Sequence, residues 1–126
     1  MSVLVDTSVW VAHFREKNEA LINLMEMDRA LVHPMVLGEL ACGTPPEPRQ
    51  RTLGYIGLLR PSNQASLKEV MTFVEQESLY GRGCGLVDMM LLASTLITPE
   101  GRLWTLDKRL AGLADEFDVA YQPHMH

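Results

Sequence analysis

The stretch Ser2-Val3-Leu4-Val5-Asp6-Thr7-Ser8-Val9-Trp10 decides how this chain folds. An apolar run closes on a single acid, and two hydroxyl residues then open a second apolar segment carrying Val9, Trp10, Ala12, His13 and Phe14. A short, β-branched run without polar alternation reads as a strand buried on both faces. Asp6 stands at its carboxyl end, where Thr7 and Ser8 offer hydroxyl caps to the helix that follows. A buried strand passing straight into a helix is the opening of a βαβ unit.

The alternation continues outward from this segment. A helix is expected over residues 19–27, with Leu21, Leu24 and Met25 on one face, and a second strand over 30–33. Pro34 suits the first turn of a helix over 35–42, which Gly43 ends. Three prolines within residues 44–48 mark a break before a helix over 48–59. A third strand is expected near 58–61, a helix over 66–79, and a glycine-rich loop from Gly81 to Gly85 that opens an apolar helix over 86–97. A strand over 102–106, a helix over 107–117 and a last strand over 119–121 complete the pattern. His124 and His126 read as a free tail. Short apolar strands alternating with helices predict a parallel sheet covered on both faces, all within one domain over residues 1–126.

Three carboxylates interrupt this apolar pattern. Asp6 is the only charge between Met1 and Phe14, Glu39 the only one between Ala30 and Pro46, and Asp88 the only one between Gly83 and Pro99. An ionised acid in an apolar interior needs hydrogen bonds, a cation or a proton, and no Lys or Arg lies in any of these stretches. Convergence of the three acids on a shared metal ion satisfies all of them at once. Asp6 and Asp107 both fall at a strand's carboxyl end, where ligands collect in α/β folds. Helix capping is the competing account of Asp6, Asp88 and Asp107, and a solvent-facing rim position that of Glu39; the apolar helix around Glu39 predicts burial instead. Oxygen ligands without Cys or close-set His select Mg²⁺ or Mn²⁺ over zinc.

Composition bounds the partners. Eleven Lys and Arg against 16 Asp and Glu leave a net charge of −5, so a polyanion must be met by a local basic rim and bound cations. No apolar run reaches the length of a membrane span and no basic region precedes the first apolar segment, so cytoplasm is the expected compartment. Cys42 and Cys84 fit neither a zinc pattern nor a disulfide framework and read as reduced thiols. The Gly81–Gly85 run lacks the Walker Lys and the dinucleotide spacing, and reads as a tight turn that positions Asp88. His13 and His33 read as satisfied core histidines, Trp10 and Trp104 as core or interface anchors. The arginines read as solvated surface, with Arg82, Lys108 and Arg109 flanking the acids.

These residues together resemble a known family. Asp6-Thr7-Ser8-Val9-Trp10 after a strand, Glu39-Leu40 followed by Gly43, the run from Gly83 to Asp88 leading into Leu91-Leu92-Ala93-Ser94, and Leu103-Trp104-Thr105-Leu106-Asp107 resemble the PIN domain. More closely, they resemble the VapC-type toxin ribonucleases of bacterial toxin–antitoxin systems. The resemblance spans nearly the whole chain in order. It implies a three-layer α/β/α sandwich around a short parallel sheet and an Mg²⁺- or Mn²⁺-dependent endoribonuclease site. Asp6, Glu39 and Asp88 take the core metal-site and catalytic positions, Asp107 the fourth, and Ser8 and Thr105 the hydroxyls that orient the site. Lys108, Arg109 and Leu110 stand where the family often has an acidic or aromatic pair. The resemblance further implies an RNA substrate, inhibition by a cognate antitoxin whose tail lies across the acidic groove, and assembly as a homodimer or toxin–antitoxin hetero-oligomer. Two other classes compete: a non-catalytic module binding a basic peptide, and a phosphotransfer domain, whose acidic pair or Asp-x-Asp is missing after Asp6.

Overall fold

The computed structural model of the chain describes residues 1–123. His124 and His126, expected as a free tail, lie outside the described residues. Among the described residues the order of elements is β1 (Ser2–Val5), α1 (Thr7–Arg15), α2 (Glu19–Glu26), β2 (Ala30–Val32), α3 (Pro34–Cys42), α4 (Arg49–Gly57), β3 (Arg60–Pro61), α5 (Leu67–Gln76), α6 (Leu86–Leu96), β4 (Gly101–Trp104) and α7 (Lys108–Glu116).

The sheet runs β3-β2-β1-β4 with every pairing parallel. Val3, Leu4 and Val5 are buried on both faces, as their unbroken apolar run predicts. The chain steps outward from β1 to β2 to β3, then returns to place β4 on the other side of β1. Right-handed crossovers therefore put the helices before and after that return on opposite faces of the sheet. In accord, α3 packs on α1 and α4, while α6 packs on α5, α7 and β4. The result is the expected α/β sandwich.

Several boundaries follow from local chemistry. α5 begins with a capping box in which Ser66 Oγ accepts from Glu69 N at 3.1 Å and Ser66 N donates to Glu69 Oε1 at 2.9 Å. α3 starts at Pro34, and the buried His33 caps it by accepting the Met35 N–H at Nδ1. Its Nε2 has no partner among the described residues, so His33 is only half satisfied. The strand expected over 119–121 is reduced to a single parallel bridge between Leu103 and Ala120. Tyr121 N donates to Leu103 O, and the next donor of a parallel ladder would be Pro123, which has no N–H. The edge strand β3 holds only Arg60 and Pro61, both exposed, which suits an unpaired edge.

α6 is the central helix. Met89, Leu91, Leu92, Ala93, Ser94 and Thr95 are all buried, and Ser94 Oγ accepts the Ala65 N–H that leads into α5. Such a helix leaves little freedom to collapse around a lost side chain. Leu91→Ala is therefore expected to cost about 2–5 kcal/mol, against less than ~1 kcal/mol for Leu86→Ala, whose side chain is half exposed on the same helix. Urea denaturation of the two variants checks this difference.

Candidate active site

The crevice where strand order reverses lies between β1 and β4, and their carboxyl ends deliver Asp6 and Thr105 to it. The β1–β4 ladder runs on into this point, with Asp6 N donating to Trp104 O at 2.9 Å. Asp6 occupies the N-cap position of α1 but makes no side-chain cap bond. Its buried carboxylate turns instead to two hydroxyls. Ser8 Oγ and Thr105 Oγ1 each donate to Asp6 Oδ2 at 2.7 Å. The hydroxyls are themselves fixed, because Ser8 Oγ accepts from Leu106 N and Thr105 Oγ1 from Asp107 N, both at 3.0 Å. Thr7 and Ser8 thus serve the acids rather than capping α1.

Glu39 corrects the expectation of burial: its side chain is exposed. α3 buries only Val36 and Leu40, one turn apart, so Glu39 stands at the rim despite its apolar neighbours in sequence. Thr7 Oγ1 donates to its Oε1 at 2.6 Å and holds it beside the start of α1. Asp88 sits in the first turn of α6, where its Oδ2 accepts the Gly85 N–H at 3.2 Å. The turn before it needs glycine, since Gly81 and Gly83 take φ of 73° and 86°. Asp107 caps α7, its Oδ1 accepting from Arg109 N at 2.9 Å and Leu110 N at 3.1 Å.

A common pattern joins the four acids. Each engages one carboxylate oxygen with protein donors, and among the described residues no donor reaches the other oxygen. None of the ion pairs among the described residues includes them. Arg82 pairs with Glu116, and the Arg109 guanidinium donates to Gly83 O at 3.4 Å. The charges sense one another. Burial pushes the Asp88 carboxyl above its ordinary value, and Asp6, Asp107 and Glu39 push it further, against the pull of the Gly85 N–H. Burial, then Asp88 and Asp107, likewise raise the nearby Cys84 thiol, against an opposing effect of Arg109 and Arg82.

The four acids are brought to one end of the sheet but not into one tight cage. Among the described residues, no three His, Cys, Asp or Glu side chains are grouped so as to hold an ion together. Asp6, Glu39 and Asp88, expected to share one cation, are thus not grouped as a closed coordination shell. Each acid is fastened by its own donor, Asp6 and Glu39 by hydroxyls of the first turn of α1, Asp88 and Asp107 by backbone N–H groups at the starts of α6 and α7. The donor set still fits a hard, hydrated cation, because Mg²⁺ typically takes one or two carboxylates and keeps several waters.

Two contributors were missed in the sequence. Thr7 was read as a cap, although a hydroxyl next to Asp6 was a visible signal. Arg49 was read as solvated surface, yet it is partly buried and clamps the end of α3, donating to Ala41 O at 2.5 Å and Gly43 O at 3.2 Å. Nothing in the local sequence marks that contact.

Comparison with known proteins agrees with this architecture. The PIN domain family matches residues 3–116 of the chain. Two curated proteins, both Ribonuclease VapC32, from Mycobacterium tuberculosis strains CDC 1551 / Oshkosh and ATCC 25618 / H37Rv, are each 40% identical over 118 residues, which is 94% of this chain and 94% of theirs. A match of that extent, on a chain with the sandwich and the acid-lined crevice described above, leaves one assignment: the protein belongs to the PIN-domain family, among its VapC-type ribonucleases.

Proposed function

We propose that the chain is a Mg²⁺-dependent endoribonuclease, with Mn²⁺ as a substitute, acting as the toxin of a toxin–antitoxin pair. The observation that carries this reading is the set of four acids at the crevice, each with one oxygen fastened, one oxygen open and no cation of the protein paired to it. The similarity to proteins named Ribonuclease VapC32 supports RNA as the substrate. A non-catalytic module has no specific observation in its favour.

Asp6 and Asp88 would hold the ion through their open oxygens, Asp107 would complete a second position, and Glu39 would act through water or orient the nucleophile. A divalent ion bound there supplies charge neutralisation at the scissile phosphate and eases deprotonation of water. The protein's own part is positioning. Ser8 and Thr105 fix Asp6 by spending both their hydrogens on Oδ2, which leaves Oδ1 without a donor among the described residues. Thr7 does the same for Glu39. In the overall reaction water oxygen bonds to phosphorus, the bond to O3′ breaks, and the strands end in 5′-phosphate and 3′-hydroxyl. An antitoxin with a basic tail would complement the same acids, and the toxin would assemble with itself or with that partner.

Asp88→Asn keeps an acceptor for the Gly85 N–H while removing one negative charge. RNA cleavage is expected to fall by about 100-fold or more, read as product release from a labelled RNA. Stability should move the other way in EDTA. Because the folded Asp88 carboxyl titrates above its ordinary 3.8, ionising it costs stability, and that cost is absent below 3.8 and complete above the folded value. The variant should therefore melt higher than wild type at neutral pH and equally at about pH 3. Millimolar Mg²⁺ is expected to raise the melting temperature of wild type but not of Asp6→Asn/Asp88→Asn, as binding to the native state alone requires.

A further inference from the structure

Glu39, one of the four acids, also lines a cavity that the hydrolytic reading does not use. About 440 Å³ in volume, it is lined by Thr7, Val11, Phe14 and Arg15 of α1, by Glu39 and Leu40 of α3, and by the loop from Gly43 to Pro46. Thr7 and Glu39 belong to both, so the cavity opens directly beside the acidic crevice. We propose that it is a nucleobase subsite, receiving the base of a nucleotide next to the cleaved phosphate and giving the enzyme its preference at that position. The proposal rests on the ribonuclease reading.

Chemistry, rigidity and charge all suit a base. Val11, Phe14, Leu40, Pro45 and Pro46 offer apolar walls on which a ring can stack, whatever its identity. The Thr44 hydroxyl and the loop backbone offer polar groups to its edge, where bases differ. The volume falls within the range of small-molecule sites and exceeds that of a single base. The loop wall is held before any ligand arrives. Arg49 fastens Ala41 O and Gly43 O, Thr52 Oγ1 donates to Pro46 O at 2.9 Å, and Pro45 is buried. A preorganised wall discriminates shape better than one that must fold around its ligand.

The lining also carries a cation. Arg15 lines the cavity and has no ion pair among the described residues. In a chain of net charge −5 it is a local cation placed for the phosphate that flanks the bound base. It offers that phosphate a charge that offsets Glu39 on the same lining.

The test is cleavage of a random-sequence RNA pool in Mg²⁺ by wild type, Val11→Trp and Thr44→Trp, with the ends of the products sequenced. Val11 and Thr44 are exposed lining residues on different elements, α1 and the loop after α3, so either indole can fill the space, and two variants guard against one misfolding. Wild type is expected to favour particular bases at one position flanking the cut. Both variants should lose that preference by about tenfold or more while still cutting a substrate that is abasic there. Arg15→Gln should raise KM, leave kcat in place, and flatten the salt dependence by the equivalent of roughly one phosphate contact. Cleavage with an unchanged base preference in both filled variants overturns the subsite and leaves the cavity to a protein side chain. No RNA cleavage by wild type overturns the ribonuclease reading and the subsite with it.

Discussion

A carboxylate buried at the meeting point of two strands is the constraint from which the rest of this structure follows. Asp6 ends β1 where the sheet changes direction, and its charge is removed from bulk water. Ionised acids are tolerated in such places only with strong donors. The chain meets that demand with Ser8 from the next turn and Thr105 from the far end of the sequence, both on the same oxygen. The backbone of Leu106 and Asp107 then locks the two hydroxyls. Register between β1 and β4 is thereby tied to the geometry of the acid, and a slip of one residue would leave the charge buried without partners.

Around that point the fold solves a second problem, which is how to hold four like charges close to each other. It does so by giving each a separate anchor. Glu39 leans on Thr7, Asp88 on the amide of Gly85, and Asp107 on the start of α7. Two of these anchors are helix N-termini, where the backbone partial charge favours an acid. The residual repulsion shows in Asp88, which burial and its three neighbours make harder to ionise. Unrelieved negative charge on a rigid frame is a standing attraction for a cation.

Much of this was legible in the chain itself. The unbroken apolar run before Asp6 identified a central strand, and the lone acid within the apolar segment around Met89 to Ile97 identified a helix whose first turn reaches the site. Both signals work because burial on all sides leaves no polar residue to blur them. Glu39 misled for the same reason in reverse. α3 is apolar nearly all round, yet only Val36 and Leu40 are fully covered, and Glu39 stands on a face that borders the neighbouring cavity. Contacts across distant elements were not legible. The clamp of Arg49 on α3 depends on how the proline-rich loop brings α4 back, and no periodicity records that. The final strand shrank to one bridge because Pro123 ends the donors, a detail that apolar character at Val119 to Tyr121 did not reveal.

The hydrogen bond from Thr105 to Asp6 joins residues 99 positions apart, so the centre is assembled from segments distant along the polymer. During synthesis the amino-terminal acid emerges long before its carboxyl-terminal support has been made. A nascent chain still lacking β4 has an unsupported Asp6 and lacks the fourth acid altogether. Chemical competence therefore waits for β4, and products cut short of it are disarmed by topology alone.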